Sequence, residues 1–437
     1  MKKAIVFGAG VSGKGSEKTL KKMGYKVFLI DDKIGISSKE GMKILENDKI
    51  DLFIKSPGVP YTDLVKKALE LQIEVIDDIE LGYRYKKNNE ISGKIIAITG
   101  TNGKTTITTK TQELLEKAGY KAKVCGNIGY SFSETVMENP ELDYYVLEAS
   151  SYQLENIKEF KANISLIVNL APDHLSRYKN LDHYYNTKFN IGKNQKESEY
   201  FIVNTSCAES LKREDKISGK KIYVGMDKTY KKESVWVENE SVFYNGEFIL
   251  EEKLASLKGK HNLENILFIV CIGKLLDIPT ELIREFLYST KTLEHRMENF
   301  FSYGVVEFIN DSKGTNIDST KFAIEAFEQP ILICGGYDKE LDLTPLEEII
   351  KDKVKEVYLI GDISDKLEIG LEKIGFSKER IFNLKTLDKV LEKLKSKVDK
   401  NHKEVILFSP ATSSFDQFKN FEERGRVFKD LVKSYFN

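Results

Sequence analysis

Short apolar runs alternate along this chain with longer segments whose apolar positions recur every three or four residues. "KAIVFG", "KVFLID", "KIDLFIKSPG" and "QIEVID" follow one another with polar-apolar stretches between them. Runs this short, ended by Gly, Asp or Pro and separated by helical patterns, predict parallel strands joined by crossover helices. The polar stretch "YKKNNEISGK", residues 85–94, then reads as a linker. A second series follows in "KIIAITG", "AKVCGNIG", "DYYVLEASS" and "ISLIVNLAPDH". Later, "ESVWVENESVFYNGEFILEE" alternates at period 2 with Asn245-Gly246 as a hairpin turn, and "GKHNLENILFIVCIGKLL" has helical spacing. A third series, "VVEFIND", "PILICGG", "EVYLIGD" and "EVILFSP", begins after residue 292. The expectation is an α/β chain of three domains, 1–90, 91–292 and 293–437, with no internal sequence repeat.

Composition agrees with that division, since 437 residues at roughly 150 per domain give about three. Hydrophobic content of 41% and charged content of 31% are those of a soluble globular protein, and a net charge of -1 gives no bulk attraction to nucleic acid or an anionic membrane. Any anion site is therefore local. Cys125, Cys207, Cys271 and Cys334 are scattered, with no C-x-x-C pair, and read as buried thiols in a reducing compartment. The opening "MKKAIVFGAGVSGKGS" imitates a signal peptide but turns glycine-rich at Gly8 and meets Lys14. No apolar stretch approaches the ~18 residues of a membrane span. The chain is expected in the cytoplasm, with no nucleic-acid partner and no membrane insertion.

Candidate chemistry concentrates at "ITGTNGKTTITTK", residues 98–110. A phosphate loop of the G-x-x-x-x-G-K-[ST] type wants glycine where this chain has Ile98, yet Gly103-Lys104-Thr105 is in place. A β-rich run precedes the turn and a helical pattern follows it. In that context backbone N–H groups and a helix N-terminus face phosphate, Lys104 adds charge and the Thr105 hydroxyl suits Mg²⁺. A chance Gly-Lys-Thr in a strand-to-helix turn explains less. Gly8-x-Gly10-x-x-Gly13, with Asp31 and Asp32 ending the next run, has the form of a dinucleotide fingerprint, but alone it fits a tight turn equally well. Glu148 ends an apolar strand where a Mg²⁺-holding acid of a phosphate-loop sheet would stand, and Asp173-His174 ends another.

Together these pieces resemble the Mur ligases, ATP-dependent amide ligases that build the peptidoglycan stem peptide. The matching stretches are "GTNGKTT" (100–106), "GNIG" (126–129), "LEASSYQL" (147–154), Asp173-His174, "YYNTKFN" around Lys188, "GKHNLEN" (259–265), "EHRME" (294–298) and "NDSKGTN" (310–316). They span nearly the whole chain, and the family spells its loop without the first glycine. The resemblance implies a Rossmann-like UDP-binding domain, a central P-loop ATPase-like parallel sheet with a small β-hairpin region, and a C-terminal Rossmann-like domain. "SPATSSFDQFKNFEERG" is similar to the members that add D-glutamate to UDP-N-acetylmuramoyl-L-alanine through an acyl phosphate. A monomer is expected.

The family also implies site residues. ATP would be held by Gly100, Thr101, Asn102, Gly103, Lys104, Thr105 and Thr106, with Asn262, Asn265, Arg296 and Asp311 gripping adenine, ribose and phosphates. Lys104, Asn127, His174 and Lys188 would carry catalysis. Two Mg²⁺ ions would bind Thr105, Glu148, His174 and Lys188, the lysine being carbamylated. Val11, Ser12, Asp31, Asp32, Ser56 and Gly58 would take the UDP substrate. Lys313, Thr315, Lys339, Ser414 and Phe421 would form the D-glutamate pocket, and Ser414 could also cap the helix ahead of it. Glu340 departs from the family, where many members have glycine.

Two other enzyme readings and one non-enzymatic reading compete. An NAD-dependent oxidoreductase rests only on the first glycine motif. A folylpolyglutamate synthase-like ligase shares the central loop but gives no reason for a uridine-type first domain. A nucleotide-dependent switch would bind ATP without turnover that depends on an acceptor.

Overall fold

Three groups of apolar strands set three sheets in the computed structural model, which describes residues 1–173, 177–230, 232–257, 259–340 and 342–437. In the first sheet Lys26–Ile30, Lys3–Phe7, Leu52–Lys55 and Val75–Ile76 lie side by side in that order, all parallel. Period-2 alternation gives the sheet two buried faces. Ile5, Phe7 and Phe53 pack on one side, Ala4, Val6 and Ile54 on the other.

The second sheet runs Glu247–Glu251, Ser241–Tyr244, Glu233–Glu238, Lys220–Gly225, Tyr200–Asn204, Ile164–Ile167, Lys94–Thr99, Tyr144–Glu148, Ala122–Gly126. Its pairings are parallel except the two that join the first three strands of that order. Ile96 and Ile98 enter one core and Ile95 and Ala97 the opposite one, so Lys94–Thr99 is covered on both faces. The third sheet is Glu298–Tyr303, Val306–Asn310, Val405–Phe408, Ile331–Gly335, Glu356–Ile360, Ile381–Lys385, antiparallel only at its first pairing. This is the expected α/β class with largely parallel sheets.

Two local expectations change. The first part of the supposed linker, residues 85–88, is helix, because Asp78–Asn88 starts from an Asp77 cap and buries Leu81 and Tyr85, leaving only residues 89–93 irregular before the strand Lys94–Thr99. The alternating stretch near residue 240 holds three strands and two turns. Asn245 and Gly246 have φ of 48° and 89°, and Asn239 and Glu240 have 48° and 56°, so both turns are of the left-handed type that suits antiparallel strands. The second lacks glycine, which hid it.

The chain divides into two compact units, residues 1–258 with 262–289, and 259–261 with 290–437. Within the first, buried acids join the first sheet's helices to the second sheet's. Asp78 accepts from the Ser16 hydroxyl at 2.9 Å and the Phe132 amide at 2.8 Å. Glu80 accepts from the amides of Lys158, Glu159 and Phe160, each at 3.0 Å, and from Arg84 Nε at 2.9 Å. A carboxylate that takes several N–H donors is far better satisfied than one exposed pair would make it. Among the described residues no helix is long and apolar enough to cross a membrane.

Candidate active site

The loop after Lys94–Thr99 has left-handed backbone at Gly100 and Gly103, with φ of 152° and 83°, and then opens the helix Lys104–Lys117. A Cβ at Gly103 would lie 2.5 Å from Asn265 Oδ1, so glycine is required there twice over. The segment after Ile164–Ile167 braces the loop. Thr101 N donates to Asn169 O at 2.9 Å, Asn102 N to Asn169 Oδ1 at 2.8 Å, and Ala171 N to Thr101 Oγ1 at 3.0 Å. Lys104 Nζ donates to the carbonyls of Gly100 (2.9 Å) and Thr101 (2.8 Å). Thr105 and Thr106 are buried in the first helical turn.

A second lysine reaches the same carbonyl. Lys188, near the end of the helix Leu181–Phe189, is buried, and its Nζ donates to Gly100 O at 2.9 Å while lying 4.8 Å from the Tyr184 ring centre. Burial and then the Lys104 charge push this amine well below its ordinary value, against the pull of Asp173 and Glu148. Glu148, buried at the end of its strand, accepts from Asn127 Nδ2 at 2.8 Å through Oε1. Its Oε2 is buried with no hydrogen-bond partner among the described residues. A carboxylate oxygen left open beside a threonine-lined phosphate loop fits a hard divalent cation, so the donor set passes the test for Mg²⁺. His174, the other expected ligand, lies outside the described residues.

In the first sheet, Gly13 is needed for close approach, since a Cβ there would sit 1.7 Å from Gly8 O. Asp31 accepts from the amides of Ala9 (2.8 Å), Lys33 (3.0 Å) and Ile34 (3.2 Å), which hold its carboxyl below the usual range. Asp32 is likewise taken up by the amide and hydroxyl of Ser38, both at 2.7 Å. Ser56 Oγ donates to Gly8 O at 3.0 Å. These bonds bring the Gly8 loop, Asp31 and Ser56 together. Val11 is exposed and Ser12 partly so at the start of the helix Val11–Lys22. Gly58 follows Ser56 in the same loop, with open space around its α-carbon.

The remaining expected residues belong to the second unit, apart from Asn262 and Asn265, which share a helix in the first and bond to each other at 3.2 Å. Burial pushes Asp311 up to about 7, although Ser409 Oγ donates to it at 2.7 Å and Arg296 attracts it. Lys313 Nζ lies 4.9 Å from the Phe421 ring centre, and Lys339 Nζ donates to Thr315 O at 3.1 Å, so four of the five expected pocket residues pair off. Ser414 is buried but does not cap the following helix; Asn420 does, accepting from Glu423 N at 2.8 Å. Glu294, His295 and Glu298 form a possible metal cluster, but Lys429 already bonds Glu294 at 2.9 Å and Glu298 at 2.6 Å.

A family model described as the Mur ligase middle domain matches residues 98–273. A Fusobacterium nucleatum protein named UDP-N-acetylmuramoylalanine--D-glutamate ligase is 50% identical over 436 residues, covering 100% of both chains. The chain belongs to the Mur ligase family. A Thermoanaerobacter protein of the same name is 37% identical, covering 99% of this chain and 98% of its own. Among solved Mur ligases, UDP-N-acetylmuramate-alanine ligase from Thermotoga maritima matches with a TM-score of 0.62 at 18% identity, covering 99% of each chain. MurF ligase from Thermotoga maritima, solved with ADP, gives 0.62 at 17% identity over 93% of this chain and 95% of its own. At such identities these structures speak for the Mur ligase fold alone.

What the motifs missed lies beside them. Lys55, Glu155 and Arg177 form a buried charged cluster next to the Ser56 loop. The one signal for it was a lysine closing the apolar run "LFIK".

Proposed function

We propose that the chain is an ATP-dependent amide ligase that joins D-glutamate to UDP-N-acetylmuramoyl-L-alanine. The whole-length identity of 50% to a ligase of that name carries this reading, and the braced loop with its two lysines and open Glu148 oxygen supplies the chemistry. A carboxylate does not release oxygen to an amine unaided. The γ-phosphoryl of ATP therefore bonds to an oxygen of the alanyl carboxylate, giving an acyl phosphate and ADP. The amine nitrogen of D-glutamate then bonds to the acyl carbon, the C–O bond to phosphate breaks, and the nitrogen loses its proton. Such transfer asks the protein for positioning and charge neutralisation rather than covalent help.

In this reading Gly100 to Thr106 cradle the phosphates, and Lys104 exchanges its carbonyl partners for a phosphate oxygen. Two Mg²⁺ ions would be held by Thr105, Glu148, His174 and Lys188 and would neutralise charge on the transferred group. Lys188 serves as an anion, because its Nζ adds to CO2 to form a carbamate and releases a proton. Its depressed proton affinity favours the neutral amine that this addition needs. Asn127 orients Glu148 by their hydrogen bond. Residues 1–90 take the UDP moiety, 91–292 the ATP, and 293–437 the amino acid, with Asn262, Asn265, Arg296 and Asp311 on the nucleotide and Lys339 balancing a glutamate carboxylate.

Phosphate release with ATP tests this. It should stay near background until both UDP-N-acetylmuramoyl-L-alanine and D-glutamate are present, with L-glutamate a poor substitute. Rapid hydrolysis of ATP alone, or equal rates with any amino acid, would overturn it.

A further inference from the structure

Five interactions converge on one carbonyl and one carboxylate between three loops of the first unit. Val59 O, in the loop after Leu52–Lys55, accepts from Lys55 Nζ at 3.2 Å and from Arg177 Nη2 at 3.1 Å. Glu155 holds both donors. Its Oε2 lies 3.1 Å from Lys55 Nζ and accepts from Arg177 Nη2 at 3.0 Å, while its Oε1 accepts from Arg177 Nε at 3.1 Å. The side chains of Lys55, Glu155 and Arg177 are 0%, 10% and 14% exposed, so water does little to screen them. Around this centre the Tyr61 hydroxyl donates to Asn156 Oδ1 at 2.9 Å, and the Arg177 guanidinium lies 4.5 Å from the Tyr152 ring centre.

The three loops are not arbitrary. The first carries Ser56 and Gly58, the second follows Glu148, and the third follows Asp173. Tyr61, Glu155, Arg177 and His183 also line a cavity of about 390 Å³. We infer that Glu155 is a positioning residue which, by holding Lys55 and Arg177 on the Val59 carbonyl, fixes the 56–60 loop against the segments that follow Glu148 and Asp173, and so sets the site for the UDP-linked substrate. This rests on the proposed ligase reading. A neutral side chain at 155 leaves two neighbouring cations facing each other across one carbonyl, and the 56–60 loop that carries that carbonyl loses its anchor.

Steady-state kinetics on the full chain, varying one substrate at a time, test the inference. Glu155→Gln should raise KM for UDP-N-acetylmuramoyl-L-alanine by about tenfold, as loss of binding expressed equally in ground and transition states does, with kcat and the KM for ATP near wild type. Tyr61→Phe removes a single hydroxyl from a half-exposed ring and spares the fold. It should raise the same KM by about two- to threefold, the effect of one modest hydrogen bond. A wild-type chain that releases no phosphate with the UDP-linked acceptor overturns the ligase reading and this inference with it. A wild type that turns over, with either folded variant keeping its substrate KM or raising the KM for ATP as much, overturns the inference alone.

Discussion

Asp77→Asn should stabilise the junction between the first two sheets, and increasingly so as pH rises. Asp77 caps the helix Asp78–Asn88 by accepting from Glu80 N at 3.1 Å, and its other oxygen, Oδ2, is buried with no hydrogen-bond partner among the described residues. Burial pushes its carboxyl up to about 8, with Asp78 and Glu80 adding to the rise and the Glu80 amide and Lys55 opposing it. The unfolded value is about 3.9. Between these limits the folded chain keeps a proton on Asp77 and the unfolded chain does not, so stability is lost as pH rises through the window, by about 1.4 kcal/mol per pH unit. Asparagine offers the same capping oxygen and does not titrate. From pH 5 to pH 7 the variant should gain about 3 kcal/mol on the wild type, and the gain should level off near pH 8. Because the chain has two compact units, one global midpoint is the wrong measure. Amide exchange in Asp78–Asn88 and Phe132–Glu138, corrected for intrinsic rates, reports opening at the junction itself. Parallel pH slopes in the two chains, or weaker protection in the variant at pH 7, would refute the argument.

Three further outcomes concern the site. Lys104→Ala should lower kcat/KM by about 2 to 4 kcal/mol, the loss of one preorganised charge donor, in the same phosphate-release assay. Lys188→Ala should be nearly inactive at close to normal thermal stability, with a short-chain carboxylic acid in solution restoring part of the rate; near-normal turnover without the acid would take Lys188 out of the site. Lys339→Ala should raise KM for D-glutamate by about tenfold, the loss of one charge-assisted contact, with little change for ATP. A variant that loses ATP affinity instead would place Lys339 with the nucleotide.

Backbone-level features were the most legible. The Gly100 to Gly103 turn could be read because a phosphate loop constrains φ and forbids side chains, and Gly103 meets Asn265 as that requires. Strands buried on both faces, such as Lys94–Thr99, announce themselves as continuous apolar runs. Partly exposed strands such as Lys220–Gly225 and Glu298–Tyr303 do not, and neither was anticipated. Asp31 illustrates a different limit. Its spacing after the glycine motif suggests a ligand-binding acid, yet its carboxylate already serves three amides of its own loops. Sequence gives the residue type and its distance along the chain, but not whether local N–H groups reach it first.

Charged contacts between distant segments were the least legible. Glu80 looks like any helical glutamate until residues 158–160 bring three amides to it, and Glu155 needs partners 100 residues earlier and 22 later in the chain. What can be read beforehand is the cost of leaving such a charge alone. A lysine buried at the end of "LFIK", or a glutamate on the inner face of a helix, loses several kcal/mol without a partner. Its presence in an apolar pattern therefore predicts that some distant group of opposite charge or hydrogen-bonding sense must meet it. For Lys55 that group is Glu155, and the loop they hold together carries Ser56 and Gly58. An apolar run that keeps one charge marks where segments must be brought into register, and in this chain such a mark stands next to the residues expected to bind substrate.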